Sequence, residues 1–295
     1  ANGDSMGRLA YALMLQAVRK CTREDLEFAE AYLLNVHDVC STHSPAYPEH
    51  NGEHFRYIKG AAHRHGAWPW ACPYVGVRGA HPVGAKIHYF VTGEGHSKDL
   101  LDELTQLVLR NPNGGEGDGP LGPNAQIYLY QWEVTGKDEW RQKLKQELET
   151  SEGLKNATGG WLVMMNAAFG IQNALDEYMD LSGDYVMRPL AASYADRCLP
   201  KEMKNHWTWG GYYRVYASAY NYSGDAKYRE AIKEMLPVLV DHANASLPFK
   251  LPPEQWPGPP GGARPFYDGN IIRDVPFALY ALHVAAPEGG VGNAK

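Results

Sequence analysis

Four short segments restrict the fold more than anything else in the chain: HYFVTGEG, QWEVTGKDE, EYMDLSGDY and AYNYSGDAK. Each carries aromatics a few residues ahead of Thr-Gly or Ser-Gly, and an acid or a lysine follows. Their glycines, Gly93, Gly136, Gly183 and Gly224, stand 43, 47 and 41 residues apart. A glycine at the end of a helical pattern fits the left-handed position that terminates a helix. An acid just beyond it suits the first turn of a new helix, where negative charge meets the helix dipole. The repeat therefore predicts helical hairpins, one per turn.

The two helices of each hairpin differ in kind. Those before the turn read as apolar nearly all round, most clearly Trp161–Phe169 (WLVMMNAAF) and the run from Tyr212 to Tyr222. Those after it, Ser97 to Arg110, Lys137 to Glu149 and Asp225 to His242, are amphipathic and charged. All-round apolar character predicts burial on every side, and a polar face predicts an outer surface. The expected architecture is all-α, an (α/α)6 toroid of inner and outer helices spanning residues 1–295 as a single domain. Inner helices are expected to begin near Gly7, Pro82, Pro123, Trp161, Trp207 and Gly269. Outer ones are expected near Thr22, Ser97, Lys137, Asp184 and Asp225, with the last outer helix missing. An open helical solenoid is the competing arrangement. The connections 39–81, 111–123, 150–160, 199–207 and 247–268 are long and rich in Gly, Pro and Trp. Hairpin parity gathers them at one end of the ring, where a rigid scaffold presents functional loops.

The first of these connections is unusual. Between His54 and Gly93 there is no Asp or Glu, although the chain carries a net charge of −6. The same span holds Arg56, Lys59, Arg64, Arg78 and Lys86, and the stretch from His43 to Tyr89 contains seven of the twelve histidines. A cationic, imidazole-rich and aromatic segment on an acidic body predicts a site for an anion with apolar faces. Tryptophans stack on sugar rings and arginines bind carboxylates in pairs of hydrogen bonds. An acidic polysaccharide or oligosaccharide is the expected partner. Trp68, Trp70, His206, Trp209, Arg264, Tyr267 and Arg273 are the expected substrate-binding residues.

For the reaction, a β-eliminating lyase must neutralise a uronate carboxylate, remove the adjacent proton and protonate the leaving oxygen. His63, His65, Tyr74, Arg78 and His81 lie within nineteen residues and supply imidazole, phenol and guanidinium. The His63-x-His65 pair could instead chelate zinc, with His54 or His81 added. A glycosidase would need two carboxyl groups. The first long connection offers only Glu49 and Glu53, at its start, while Asp118, Asp268 and Asp274 are expected elsewhere on the same face.

The remaining features set bounds. The acidic balance excludes nucleic acid as a main partner, and no apolar run is long enough to span a bilayer. The start ANGDSMGR has neither an initiator Met nor an apolar signal core, which implies a processed chain or a fragment. Cys21, Cys40, Cys72 and Cys198 show no CxxC spacing and read as buried free thiols. Sequons at Asn156, Asn221 and Asn244 point weakly to secretion.

The run GEHFRYIKGAAHRHGAWPWACPYVGVRGAHPVGAKIHYFVTGE resembles the helical-toroid region of the rhamnogalacturonan exolyase-like (YetA-like) polysaccharide lyases, most clearly over residues 49–104. The resemblance implies β-elimination of a uronate-containing, rhamnogalacturonan-like polysaccharide, an extracellular or secreted enzyme, and sometimes a divalent cation such as calcium. It also implies further β-rich domains or chains that complete the site. His63, His65, Arg78 and His81 fall in the matching motif. Where that family's pattern has a His-Trp-Gly core, this chain reads Pro69-Trp70-Ala71. Two other readings share the ring: a six-hairpin glycoside hydrolase and a non-catalytic carbohydrate-binding or structural toroid.

Overall fold

The tight turns fix the hairpins, and each turn is built the same way. At Gly93, Gly136, Gly183 and Gly224 φ is 74°, 65°, 69° and 71°. Each glycine N–H returns to the carbonyl four residues back, at Tyr89, Trp132, Met179 and Tyr220. The hydroxyl before the glycine bridges both helices. Thr92, Thr135, Ser182 and Ser223 each donate to a carbonyl in the last turn of the first helix, and each accepts an N–H two residues ahead, from Glu94, Lys137, Asp184 and Asp225. This explains why only Thr or Ser occupies that position in the repeat: the side chain satisfies orphaned backbone groups on both sides.

The computed structural model describes residues 6–39, 41, 43, 60, 62–63, 75–76, 82–110, 122–150, 171–198 and 211–246. Five hairpins fall within them. They pair α1 (Met6–Lys20) with α2 (Arg23–Asp38), and α3 (Val83–Thr92) with α4 (Gly95–Arg110). Next come α5 (Gly122–Thr135) with α6 (Asp138–Thr150), then α7 (Ile171–Ser182) with α8 (Arg188–Cys198) through a 3₁₀ turn at Tyr185–Met187. The fifth pairs α9 (Gly211–Ser223) with α10 (Ala226–Ser246). The expected all-α fold is what is found. One two-residue antiparallel ladder accompanies it, β1 (Ala62–His63) against β2 (Val75–Gly76), with His63 opposite Val75. The first part of the inner helix expected from Trp161, ahead of Ile171, and the sixth inner helix expected near Gly269 lie outside the described residues, as does any closure of a ring.

The first hairpin turns without a glycine. Cys21 holds φ at 54° in its place, with its N–H on the Ala17 carbonyl. The Thr22 side chain caps α2 by accepting the Asp25 N–H, and Glu24 and Asp25 fill the first turn. Cys21 is free and exposed, which corrects the expectation of a buried thiol; the other three cysteines lie outside the described side chains.

The first helices of the hairpins are the inner ones. Residues 171–176 of α7 and 213–220 of α9 are buried without a break. Outer helices bury one stripe: Leu100, Leu101, Leu104, Leu107 and Val108 on α4, and Tyr228, Ala231, Ile232 and Met235 on α10. That spacing is the 3.6-residue period of an amphipathic helix. Inner helices pack on one another, α1 on α3 and α7 on both α5 and α9. At the α1–α3 contact, Gly84 meets the other backbone directly: a Cβ there would come within 2.9 Å of the Tyr11 nitrogen. Asn173 of α7 donates to the Tyr11 hydroxyl of α1 at 2.8 Å. In a straight row, helices three places apart would stand roughly 25–30 Å from one another. The open solenoid therefore does not describe this array, which curls until its first and fourth inner helices meet.

Candidate functional site

Inside the curled row the inner helices carry charge. The sequence reading treated them as apolar nearly all round; burial all round is right, but Lys86, Asn124, Gln126, Gln172, Asn173, Asp176, Arg214 and Ser218 are all buried. Their placement follows from helical periodicity along α7. Gln172 and Asp176, four residues apart, face α9, while Asn173 and Glu177, one residue further round, face α1 and α3.

On the α9 side, the Asp176 carboxylate is fully engaged. Arg214 approaches Oδ2 with both Nε and Nη2 at 2.8 Å. Ser218 donates to Oδ1 at 2.5 Å and Gln172 to the same oxygen at 3.1 Å. Burial pushes the Asp176 pKa up, and the Arg214 charge with these hydrogen bonds offsets only part of that shift. On the other side, Lys86 Nζ donates to Glu133 of α5 at 3.0 Å and to Glu177 at 2.5 Å. Burial opposes the Lys86 charge, but the two carboxylates outweigh it and hold its pKa above the ordinary lysine value. Glu133 is pushed up by burial, and Lys86 counters only in part. The interior thus links α3, α5, α7 and α9 through two cations and three carboxylates.

This changes one expectation. Lys86 was counted with the cations of the acid-free segment, and it is taken up by Glu133 and Glu177 rather than open to an anionic ligand. His88 of the same segment is buried, with Nδ1 2.8 Å from the Ser97 hydroxyl. Sequence reading noted Lys86 but missed its partners and the other four interior charges. For Lys86, Glu133 and Arg214 the signal was present as a lone charge on an otherwise uncharged inner helix, such as Lys86 within VGAKIHYFVT.

Of the expected catalytic residues, His63 lies in the β1–β2 ladder by its backbone. Its side chain lies outside what the structure describes, as do His65, Tyr74, Arg78 and His81. The expected substrate-binding residues Trp68, Trp70, His206, Trp209, Arg264, Tyr267 and Arg273 lie outside it too. A surface groove on the described part runs between α4, α5 and α6, lined by Asp99, Asp102, Glu103 and Trp140. Its acidic rim is the wrong charge for a polyanion.

The resemblance implies calcium. Calcium takes about six to eight oxygen ligands. The interior carboxylates Asp176, Glu133 and Glu177 already have Arg214 or Lys86 against them and do not fit it. Among the described residues no helix is long and apolar enough to cross a membrane.

The sequence matches no family model and no curated protein. The fold defines a class, an all-α array of helical hairpins, and a solved structure resembles it. The chain is similar to the crystal structure of the Lin0763 protein from Listeria innocua, with a TM-score of 0.57, 12% identity, 95% of this chain covered and 85% of that one. At that identity the likeness shows the fold alone.

Proposed function

We propose that the protein is a polysaccharide lyase: it cleaves a uronate-containing, rhamnogalacturonan-like polysaccharide by β-elimination, outside the cell, on the loop-bearing end of a closed (α/α)6 toroid. The observation that carries this reading over hydrolysis is the state of the interior carboxylates. Among the described residues, Asp176 is held by Arg214, while Glu133 and Glu177 share the one charge of Lys86. A glycosidase needs one carboxyl as acid and a second as base or nucleophile, and a carboxylate held by Arg or Lys serves neither role well. Elimination draws on other groups, and the segment from His54 to Gly93 supplies them without a competing acid. In this reading His63, His65 and His81 transfer protons or bind the uronate carboxylate. Tyr74 transfers a proton, and Arg78 neutralises the charge that develops as the proton leaves.

The test is to incubate the chain with rhamnogalacturonan, polygalacturonate and a neutral glucan and to follow the ultraviolet band of the unsaturated product. The expected result is a signal with the acidic polymers only, reduced about 10²–10³-fold by Arg78→Ala. A saturated reducing-end product would make the protein a hydrolase. Binding of acidic polymer without any cleavage would make it a carbohydrate-binding toroid.

A further inference from the structure

Where α2 ends, three imidazoles and two carboxylates converge that the reaction above does not use. His37 stands in the last turn of α2, His43 follows it, and His96 opens α4. The His37 ring lies 4.6 Å from the His43 ring and 4.2 Å from the His96 ring, edge-on to both. Asp38 and Glu103 complete the group.

His37 is 7% exposed, and both of its ring nitrogens are buried without a hydrogen-bond partner. Its Nδ1 is 3.2 Å from Asp38 Oδ1, but not in hydrogen-bonding geometry. Burying such a group unsatisfied costs about 1–3 kcal/mol, so it calls for a partner. His43 poses a second problem. Its Nε2 is 2.6 Å from the His37 carbonyl and must donate there. Its Nδ1 is 3.1 Å from Glu103 Oε2, another acceptor. A neutral imidazole has one proton and cannot satisfy both. A cation between Nδ1 and the carboxylate would resolve the conflict, as would a proton shared between them.

From these contacts we infer that His37, His43 and Glu103 form a binding site for a divalent transition-metal ion of the zinc type. The ligand atoms of this triad all lie within 4.8 Å of one another. Metal–ligand bonds of about 2.0–2.1 Å place neighbouring ligand atoms about 2.9–3.4 Å apart, and the His43–Glu103 separation falls in that range. The His43 Nε2–H on a backbone carbonyl is the outer hydrogen bond that a ligating histidine makes to fix its tautomer. Two imidazoles and one carboxylate suit zinc and its neighbours, not calcium. His37 and His96 with Asp38 form an adjoining, more exposed triad.

The site has a structural consequence. His43 opens the acid-poor connection, and Gly60 further along packs on the backbone of the same residue, Glu103, where a Cβ would meet the carbonyl oxygen at 2.7 Å. The ion would pin the start of that connection to α4 beside the point where Gly60 returns. This inference does not depend on the lyase reading.

The experiment uses the full chain, stripped with a chelator, then titrated with Zn²⁺ against a chromophoric competitor and followed by thermal unfolding. One zinc retained per chain after dialysis and a raised melting temperature are expected, with calcium unable to compete. His43→Ala and Glu103→Gln should each weaken binding more than about 100-fold, whereas His96→Ala should keep it within a few-fold. Circular dichroism of each stripped variant separates loss of a ligand from loss of fold. No retained zinc overturns the site. Equal binding by the His43 variant, or loss of binding in His96→Ala, overturns the assignment to this triad.

Discussion

Asn173 and Tyr11 are 162 residues apart in the chain and share a 2.8 Å hydrogen bond, amide to phenol, in the interior of the helical array. This bond joins two inner helices that two others separate in sequence. Tyr11→Phe keeps the ring and leaves the buried Asn173 amide short of an acceptor. The expected loss is about 1–3 kcal/mol of unfolding free energy in denaturant titrations. A loss near zero would mean that the two helices do not meet in solution.

The Lys86 triad makes a sharper prediction. Lys86→Met strands Glu133 and Glu177 beside each other at a half-buried place, at an expected cost of about 1–3 kcal/mol at neutral pH. The cost should shrink in acid as Glu133, whose pKa burial already raises, takes up a proton. Glu133→Gln combined with Lys86→Met should recover part of it. A variant as stable as the parent at every pH would show that the triad is open to water.

Glu147 of α6 has a buried Oε1 without a partner, and burial raises its pKa from 4.5 to about 7. The folded state therefore holds this proton more tightly than the unfolded chain does. Stability from this group is present below pH 4.5 and is lost as pH rises to about 7. Glu147→Gln should remove that slope and stabilise the protein at pH 8 by at most about 3 kcal/mol. Melting temperatures of both proteins from pH 4 to pH 8 check it, and parallel curves would refute it.

Two backbone positions invert each other. Cys21 holds a left-handed φ that costs a side-chain-bearing residue about 1–2 kcal/mol, so Cys21→Gly should stabilise. Gly84→Ala should destabilise by about 1–3 kcal/mol, because the new Cβ meets the α1 backbone rather than a yielding side chain. Gly93→Ala meets nothing within 4 Å, so it isolates the cost of φ alone. Thermal melts of the three variants are the check.

Much of this fold was legible because its turns are local. The Thr/Ser-Gly signature, the helix pairs around it and the boundaries near Gly7, Thr22, Pro82 and Pro123 depend on residues within one or two turns of each other. The interior was harder to read. Lys86, Asp176 and Arg214 find their partners 38 to 91 residues away, and no local pattern records such a meeting. The same holds for the metal triad: His43 stood out in a histidine-rich stretch, but Glu103 is sixty residues on and looks like any charge on an outer helix. The Cys21 turn escaped notice because the repeat was recognised by its glycine, and there a cysteine does the glycine's job.

The four hydroxyl-bridged turns also bear on time. Each closes across a handful of residues, so little chain entropy is lost in forming it, whereas the Tyr11–Asn173 contact must wait for most of the chain to arrive. The hairpins should form early and independently, and the curling of the row should limit the rate. Pulse-labelled hydrogen exchange would find the Gly93, Gly136, Gly183 and Gly224 amides protected well before substitution at Tyr11 affects the folding rate. The parts of this molecule are quick to make; bringing its ends together is slow.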